Sequence, residues 1–218
     1  MSPLEIVVRG VARREFRAER AILRLAIALE GSSRDGVYRE AVGVHGPVVD
    51  DLTELATGNA VIDWSSDSVR VFGHRPVHPD GSRQDPVFST RIEVEARFAD
   101  FEALSQFIDR WAPTDGVEVG GVRWDVAEEN RRRYERDLRK EAVDDAVVKA
   151  QAYADAVGRG AVVATQLADP DMLSDPRPSP RLSRRMAVGA PGASDPALAL
   201  RAEDIAIAVS VDARFVAE

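Results

Sequence analysis

The chain has 218 residues, no cysteine, 44% hydrophobic and 30% charged residues, and a formal net charge of -8. Without cysteine there are no disulfides, thiolate metal sites, iron–sulfur clusters or Cys nucleophiles. The acidic balance argues against a general nucleic-acid binder, and the length reads as one globular domain, residues 1–218, with no need of covalent staples.

Residues 4–16 read as a first strand, with Gly10 as a bulge or a point of close approach. Residues 21–30 read as a second, with Leu23, Leu25, Ile27 and Leu29 on its buried face. Ser32 or Ser33 caps a helix carrying Val37, Ala41, Val44, Val48, Leu52 and Leu55. Pro47 is expected to kink or restart that helix, and Gly58-Asn59 to close it. Strands are expected at 60–64 and 68–72, then a turn-rich loop at 74–86. Residues 87–98 alternate most regularly, with Phe88, Thr90, Ile92, Val94, Ala96 and Phe98 on one face. Asp100 caps a helix carrying Phe101, Leu104, Phe107, Ile108 and Trp111. A strand at 117–126 holds Gly120-Gly121, a bulge or bend.

Asp125 and Glu128 are spaced as a capping box for a long helix that ends before Gly158. Its apolar stripe reads Tyr134, Leu138, Ala142, Ala146, Ala150, Tyr153 and Val157. The stripe is mostly alanine, so whatever packs there can come close. Strands at 161–168 and 204–216 complete the pattern. Between them lies a segment at about 169–201 with six of the twelve prolines and a short strand expected at 186–188. A connection that long is unusual inside a compact domain.

Several of these segments resemble the SIMPL family, the domain of unknown function 541. They are the opening Ile6-Val7-Val8-Arg9-Gly10, the second strand from Glu19 to Leu25, the Gly120-Gly121 strand, and above all the helix Arg139 to Gly158 with its runs of Asp-Ala and Lys-Ala. The resemblance implies an α+β fold, largely antiparallel sheets packed with two shorter helices and one long Ala-rich helix. It also implies homo-oligomers, ring-like or channel-like in periplasmic members, and no shared enzymatic activity.

Chemistry-bearing patterns are sparse. His74 and His78 are four apart, but Pro76 and Pro79 break any helix that would aim both at a metal. A Ser–His–acid triad would have to use His45, His74 or His78, and no Gly-x-Ser-x-Gly elbow accompanies them. Gly158-Arg159-Gly160 follows a helix and precedes a strand, the reverse of a dinucleotide loop. Asp50-Asp51 and Asp144-Asp145 are helical neighbours that do not share a face. Residues 128–141 hold six bases and five acids, a solvated helix face or a helix–helix partner surface. Arg177, Arg181, Arg184 and Arg185 are the interaction candidates, suited to an acidic partner or phosphate. Trp64, Trp111 and Trp124 read as core packing.

No secretory signal pattern and no membrane-length apolar run is present, so the sequence reads as cytoplasmic. The expected role is a non-enzymatic, self-associating interaction protein without catalytic, metal or cofactor site. The alternatives are a small-ligand-binding domain with a cleft between sheet and helices, and a hydrolase with a dispersed acid–base site.

Overall fold

The computed structural model describes residues 3–77, 83–173 and 200–218. Their elements run β1 (Leu4–Phe16), β2 (Arg20–Gly31), α1 (Arg34–Thr57), β3 (Val61–Ser66), β4 (Val71–His74), β5 (Val87–Phe98), α2 (Phe101–Trp111), β6 (Val117–Asp125), α3 (Glu128–Ala156), β7 (Val162–Ala168) and β8 (Ile205–Ala217). Helix makes up 35% and strand 42%, and the fold is α+β, as expected. The strands of both sheets pair antiparallel. The chain forms two compact units: residues 3–16, 127–173 and 204–218, and residues 17–126 with 200–203.

In the second unit the sheet order is β3-β5-β2-β6, with β4 also on β5. β5 alternates as its sequence requires, burying Thr90, Ile92, Val94, Ala96 and Phe98. β2 departs from the one-faced pattern. It lies between β5 and β6, and Ile22 and Ala26 are buried as well as Leu23, Leu25 and Ile27. Ile22 pairs with Arg97 and Arg123, and Ala26 with Glu93 and Glu118. Long side chains flanking a central strand shield small apolar neighbours with their stems. Gly120 and Gly121 form the expected bulge, where the β2–β6 register shifts between Leu23 and Leu25.

The helix-side face of that sheet packs on α1 through Ala41, Val48 and Leu52 and on α2 through Leu104 and Phe107. The Phe98 and Phe107 rings lie 5.6 Å apart in a tilted pair. Trp64, Trp111 and Trp124 pack partly buried against this core. Ser33 caps α1 by accepting from the Gly36 N–H, and Asp100 caps α2 by accepting from Glu102 and Ala103. Asn59, at φ 61°, takes the left-handed turn after α1.

Pro47 does not restart α1; the helix runs through it from Arg34 to Thr57. An interior proline costs about 3 kcal/mol. Ala41 on one side of it and Val48 and Leu52 on the other are all 0% exposed, so both halves are held on one sheet. The carbonyl that the ring would crowd belongs to Gly43, the residue whose backbone adapts most readily. The second of the two expected strands here also moves, from 68–72 to Val71–His74.

In the first unit the sheet order is β1-β8-β7, and α3 covers one face. β1 and β8 pair without a break over 13 residues, Leu4 opposite Ala217 to Phe16 opposite Ile205. The buried residues of α3 are Leu138, Ala142, Ala146, Ala150 and Ala154. Steps of four overshoot a 3.6-residue turn by about 40°, so this row winds along the helix as an i±4 ridge. The sequence reading carried the stripe through Tyr153 and Val157 instead, and these are 62% and 61% exposed. Ala154 takes the place of Tyr153 because the sheet follows the ridge.

A Cβ at Gly10 would lie 1.9 Å from the Ala142 carbonyl oxygen and 2.8 Å from the Ala146 Cβ. Gly10 is therefore the close-approach point its sequence suggested, and glycine on the strand answers alanine on the helix. The expected capping box does not form. The N-cap of α3 is Ala127, with no side-chain cap bond, and Asp125 accepts instead from Arg20 at 2.7 Å. Gly158, at φ 69°, stops the helix as expected. Most of the proline-rich segment, with the short strand expected at 186–188, lies outside the described residues.

Candidate functional site

The face of the first unit's sheet turned away from α3 carries Glu5, Val7, Arg9 and Val11 from β1 and Asp212, Arg214 and Val216 from β8. At its centre is a clasp. Arg9 donates to both carboxylate oxygens of Asp212, at 2.6 and 3.0 Å, and to Asp171 at 2.7 Å. Asp212 also accepts the backbone N–H of Asp171 at 2.7 Å. The Asp212 residue is only 5% exposed, while the Arg9 side chain is 44% exposed. Hydrogen bonds from Arg9 hold the Asp212 carboxyl below the usual carboxylate range, with the Asp171 N–H adding to the effect and burial opposing it. Asp171 sits at φ 68°, a conformation Asp tolerates better than most residues. Arg214 pairs with Glu5 on the same face. The clasp fixes the chain just after β7, at the start of the proline-rich segment.

The same unit exposes large apolar side chains. Val148 and Tyr153 on α3, Val157 at its C-cap, Val163 and Leu167 on β7, and Met172 beyond it are each more than half exposed. β7 reads Val-Val-Ala-Thr-Gln-Leu-Ala, without a charge, and stands at the edge of its sheet. A groove of about 310 Å³ runs beside it, lined by Arg139, Val143, Leu167, Asp169 and Val211.

In the second unit a cavity of about 700 Å³ opens on the polar face of the five-stranded sheet. Its walls include Arg24, Ser65, Arg91, Glu93, Glu95 and Glu118. Arg24 pairs with Glu95 at 2.8 Å and Arg91 with Glu118 at 2.6 Å. The bond from Arg24 holds the Glu95 carboxyl below its ordinary range. Alternation along β2 and β5 puts these charges on the face opposite α1 and α2. The space between sheet and helices, where the alternative ligand-binding reading placed a cleft, is filled by side chains of 0–1% exposure such as Ile27, Leu52, Ile92 and Phe107.

Arg177, Arg181, Arg184 and Arg185 lie outside the described residues, as does His78. His74 is exposed at the end of β4. No group of three or more His, Asp or Glu able to hold a metal is found among the described residues. His45 Nε2 lies 2.7 Å from the Ser66 hydroxyl. No carboxylate orients the other ring nitrogen among the described residues, so this is a hydrogen-bonded pair without the third member of a triad. Asp51 accepts from Arg110 and from the Trp111 indole, each at 2.8 Å, and ties α1 to α2. The mixed charges of residues 128–141 pair within the helix at Arg132–Glu128, Arg139–Glu135 and Lys140–Asp137.

Sequence reading missed the Arg9–Asp212 pair, whose members are 203 residues apart. The one signal for it was an acid within a largely apolar final strand, where Arg214 is the other charged residue. No helix among the described residues is long and apolar enough to cross a membrane. No curated protein matches the chain. The model of the SIMPL family, a protein of unknown function (DUF541), matches residues 6–215, and the chain belongs to that family.

Proposed function

We propose that this chain is a non-enzymatic interaction protein that associates with copies of itself through the α3–β7 region. What supports the reading is the exposed apolar surface there: Val148, Tyr153, Val157, Val163, Leu167 and Met172, beside an uncharged edge strand. Single exposed apolar residues are ordinary; here six that are more than half exposed fall within residues 148–172, on the last turns of α3, on an edge strand and just beyond it, and association would cover part of them. An edge strand without charge or proline offers backbone groups to another chain, although at the start of β7 the Val162 N–H is taken by Gln151. Native mass spectrometry and light scattering over a concentration series test it. A discrete multiple of 23.8 kDa supports self-association. A monomer throughout the series overturns it. Val163→Lys together with Leu167→Lys should shift any assembly towards monomer.

A second reading is a binding site for a small charged ligand, supported by the 700 Å³ cavity with its alternating Arg and Glu walls. A ligand that binds only the folded state raises stability with concentration, by about 2.7 kcal/mol at a hundred times its Kd. A thermal-shift screen of small amino acids, organic acids and amines reads this directly. Arg24→Ala with Arg91→Ala should abolish any shift found, and a shift that survives places the ligand elsewhere.

A further inference from the structure

β1 and β7 are the outer strands of the first unit's sheet, and side chains of α3 reach the backbone of both; at β7, Gln151 accepts from the Val162 N–H at 3.0 Å. β1 is an edge strand, paired with β8 alone among the described residues. In an antiparallel pair, alternate residues turn their N–H and C=O groups towards the partner strand, and the rest turn theirs outwards. Arg9 and Val11 belong to the outward set. The Val11 N–H donates to the Asp145 carboxylate at 2.8 Å, and the Arg9 carbonyl accepts from Lys149 Nζ at 3.1 Å. Lys149 also bonds Asp145 at 2.6 Å, one turn away on α3. The donor and the acceptor that a further strand would need at this point of the edge are thus both taken by one ion pair.

Three other features serve the same arrangement. Gly10 stands between the two bonded residues and brings the helix backbone close enough for an aspartate to reach the edge. Val7 and Val11, the apolar residues on the open side of β1, are 54% and 48% exposed. They make the strand attractive to another β-strand. Arg14 joins Glu141 at 2.5 Å, a further tie from the same helix to the same strand. The Lys149 and Val11 bonds hold the Asp145 carboxyl below its ordinary range, so it stays an anionic acceptor at neutral pH.

We propose that the Asp145–Lys149 pair is an edge guard: it closes β1 to strand addition by another chain and so decides where this sheet can make intermolecular contact. Such protection of edges is a general need of β-proteins, and here two side chains of the covering helix provide it. The guard does not depend on the self-association proposed above. It acts equally in a monomer and in an assembly formed elsewhere.

The absence of cysteine allows a clean test. Val11→Cys is placed in the otherwise native chain and in Asp145→Ala/Lys149→Ala, and both are exposed to a mild oxidant. The Val11 side chain lies on the open face, while the guarded group is its backbone N–H. The guarded chain should give little disulfide-linked dimer. The unguarded chain should give about ten-fold more, and in the same two backgrounds without the Val11→Cys change, hydrogen exchange at the Val11 amide should accelerate about ten-fold or more as its bond is lost. Equal cross-linking in the two backgrounds, or an unchanged Val11 exchange rate, overturns the proposal. Far-ultraviolet circular dichroism reports whether the double variant folds. If it does not, Asp145→Asn, which keeps an acceptor oxygen, replaces it and should show a smaller change in the same direction. A native chain that is monomeric, joined only when unguarded, would support the guard and refute native self-association.

Discussion

The two units solve the same problem, covering one face of an antiparallel sheet, with opposite materials. The five-stranded sheet meets α1 and α2 through large side chains: Leu23, Ile27, Leu52, Ile92, Phe98, Leu104 and Phe107 are each 0–1% exposed. The three-stranded sheet meets α3 through Ala142, Ala146, Ala150 and Ala154, with Gly10 opposite. The first interface depends on volume and fails when volume is removed. The second depends on proximity and fails when volume is added. Proximity also lets the short Asp145 side chain reach the backbone of β1, which long-stemmed packing would prevent.

The sharpest way to break this contrast is at Gly10. Gly10→Val should cost about 4 kcal/mol or more, because its side chain meets the helix backbone rather than a movable side chain. Equilibrium denaturation measures the loss, and a cost below about 1 kcal/mol would mean that α3 is free to move off the sheet. Phe98→Ala in the other unit should cost about 3–5 kcal/mol through the cavity it leaves. Ala146→Leu, an addition of volume, should cost about 1–3 kcal/mol. The same kind of addition at an exposed α3 position, Asp144→Leu, should cost far less.

The clasp gives a smaller effect with a pH signature. The folded-state pKa of Asp212 is depressed, chiefly by Arg9. Its contribution to stability is therefore present above the unfolded aspartate value of about 3.9 and is lost as pH falls through the lower folded value. Asp212→Asn should lower stability by about 1–3 kcal/mol at pH 7 and flatten the acid limb of the stability curve. Equal slopes for variant and native chain below pH 4 would count against the clasp. The smallest change expected is a gain. Pro47→Ala restores an N–H to α1 and should raise stability by about 1 kcal/mol, the benefit being reduced by the greater freedom of the unfolded chain.

The elements themselves were legible from local pattern. β1, β5 and α2 fall on their predicted residues, because alternation and an aspartate cap are signals carried by neighbours in sequence. The sequence left a kink or a restart open at Pro47, and that α1 does not restart there was not legible. Its continuity depends on both halves resting on one sheet, a fact that no window around the proline contains. Nor was the failure of the capping box, since Asp125 is held by Arg20, 105 residues away in the chain. The candidate arginines at 177–185 lie outside the described residues, and Arg9, Asp171 and Asp212, which the fold does bring together, were not singled out beforehand.

What this sequence determined by itself is the choice of helix or strand, the faces that are apolar, and the small residues that permit close packing. Each follows from the 3.6- and 2-residue periods and from side-chain size. Only the tertiary structure decided which small residues meet, Gly10 with Ala142 and Ala146, and which charges pair, Arg9 with Asp212 and Asp145 with the edge of β1. Those partners are brought together by β1 pairing with the C-terminal strand and by α3 crossing both. A contact across more than a hundred residues leaves no periodic trace in the chain, so it becomes visible only when the strands are in register.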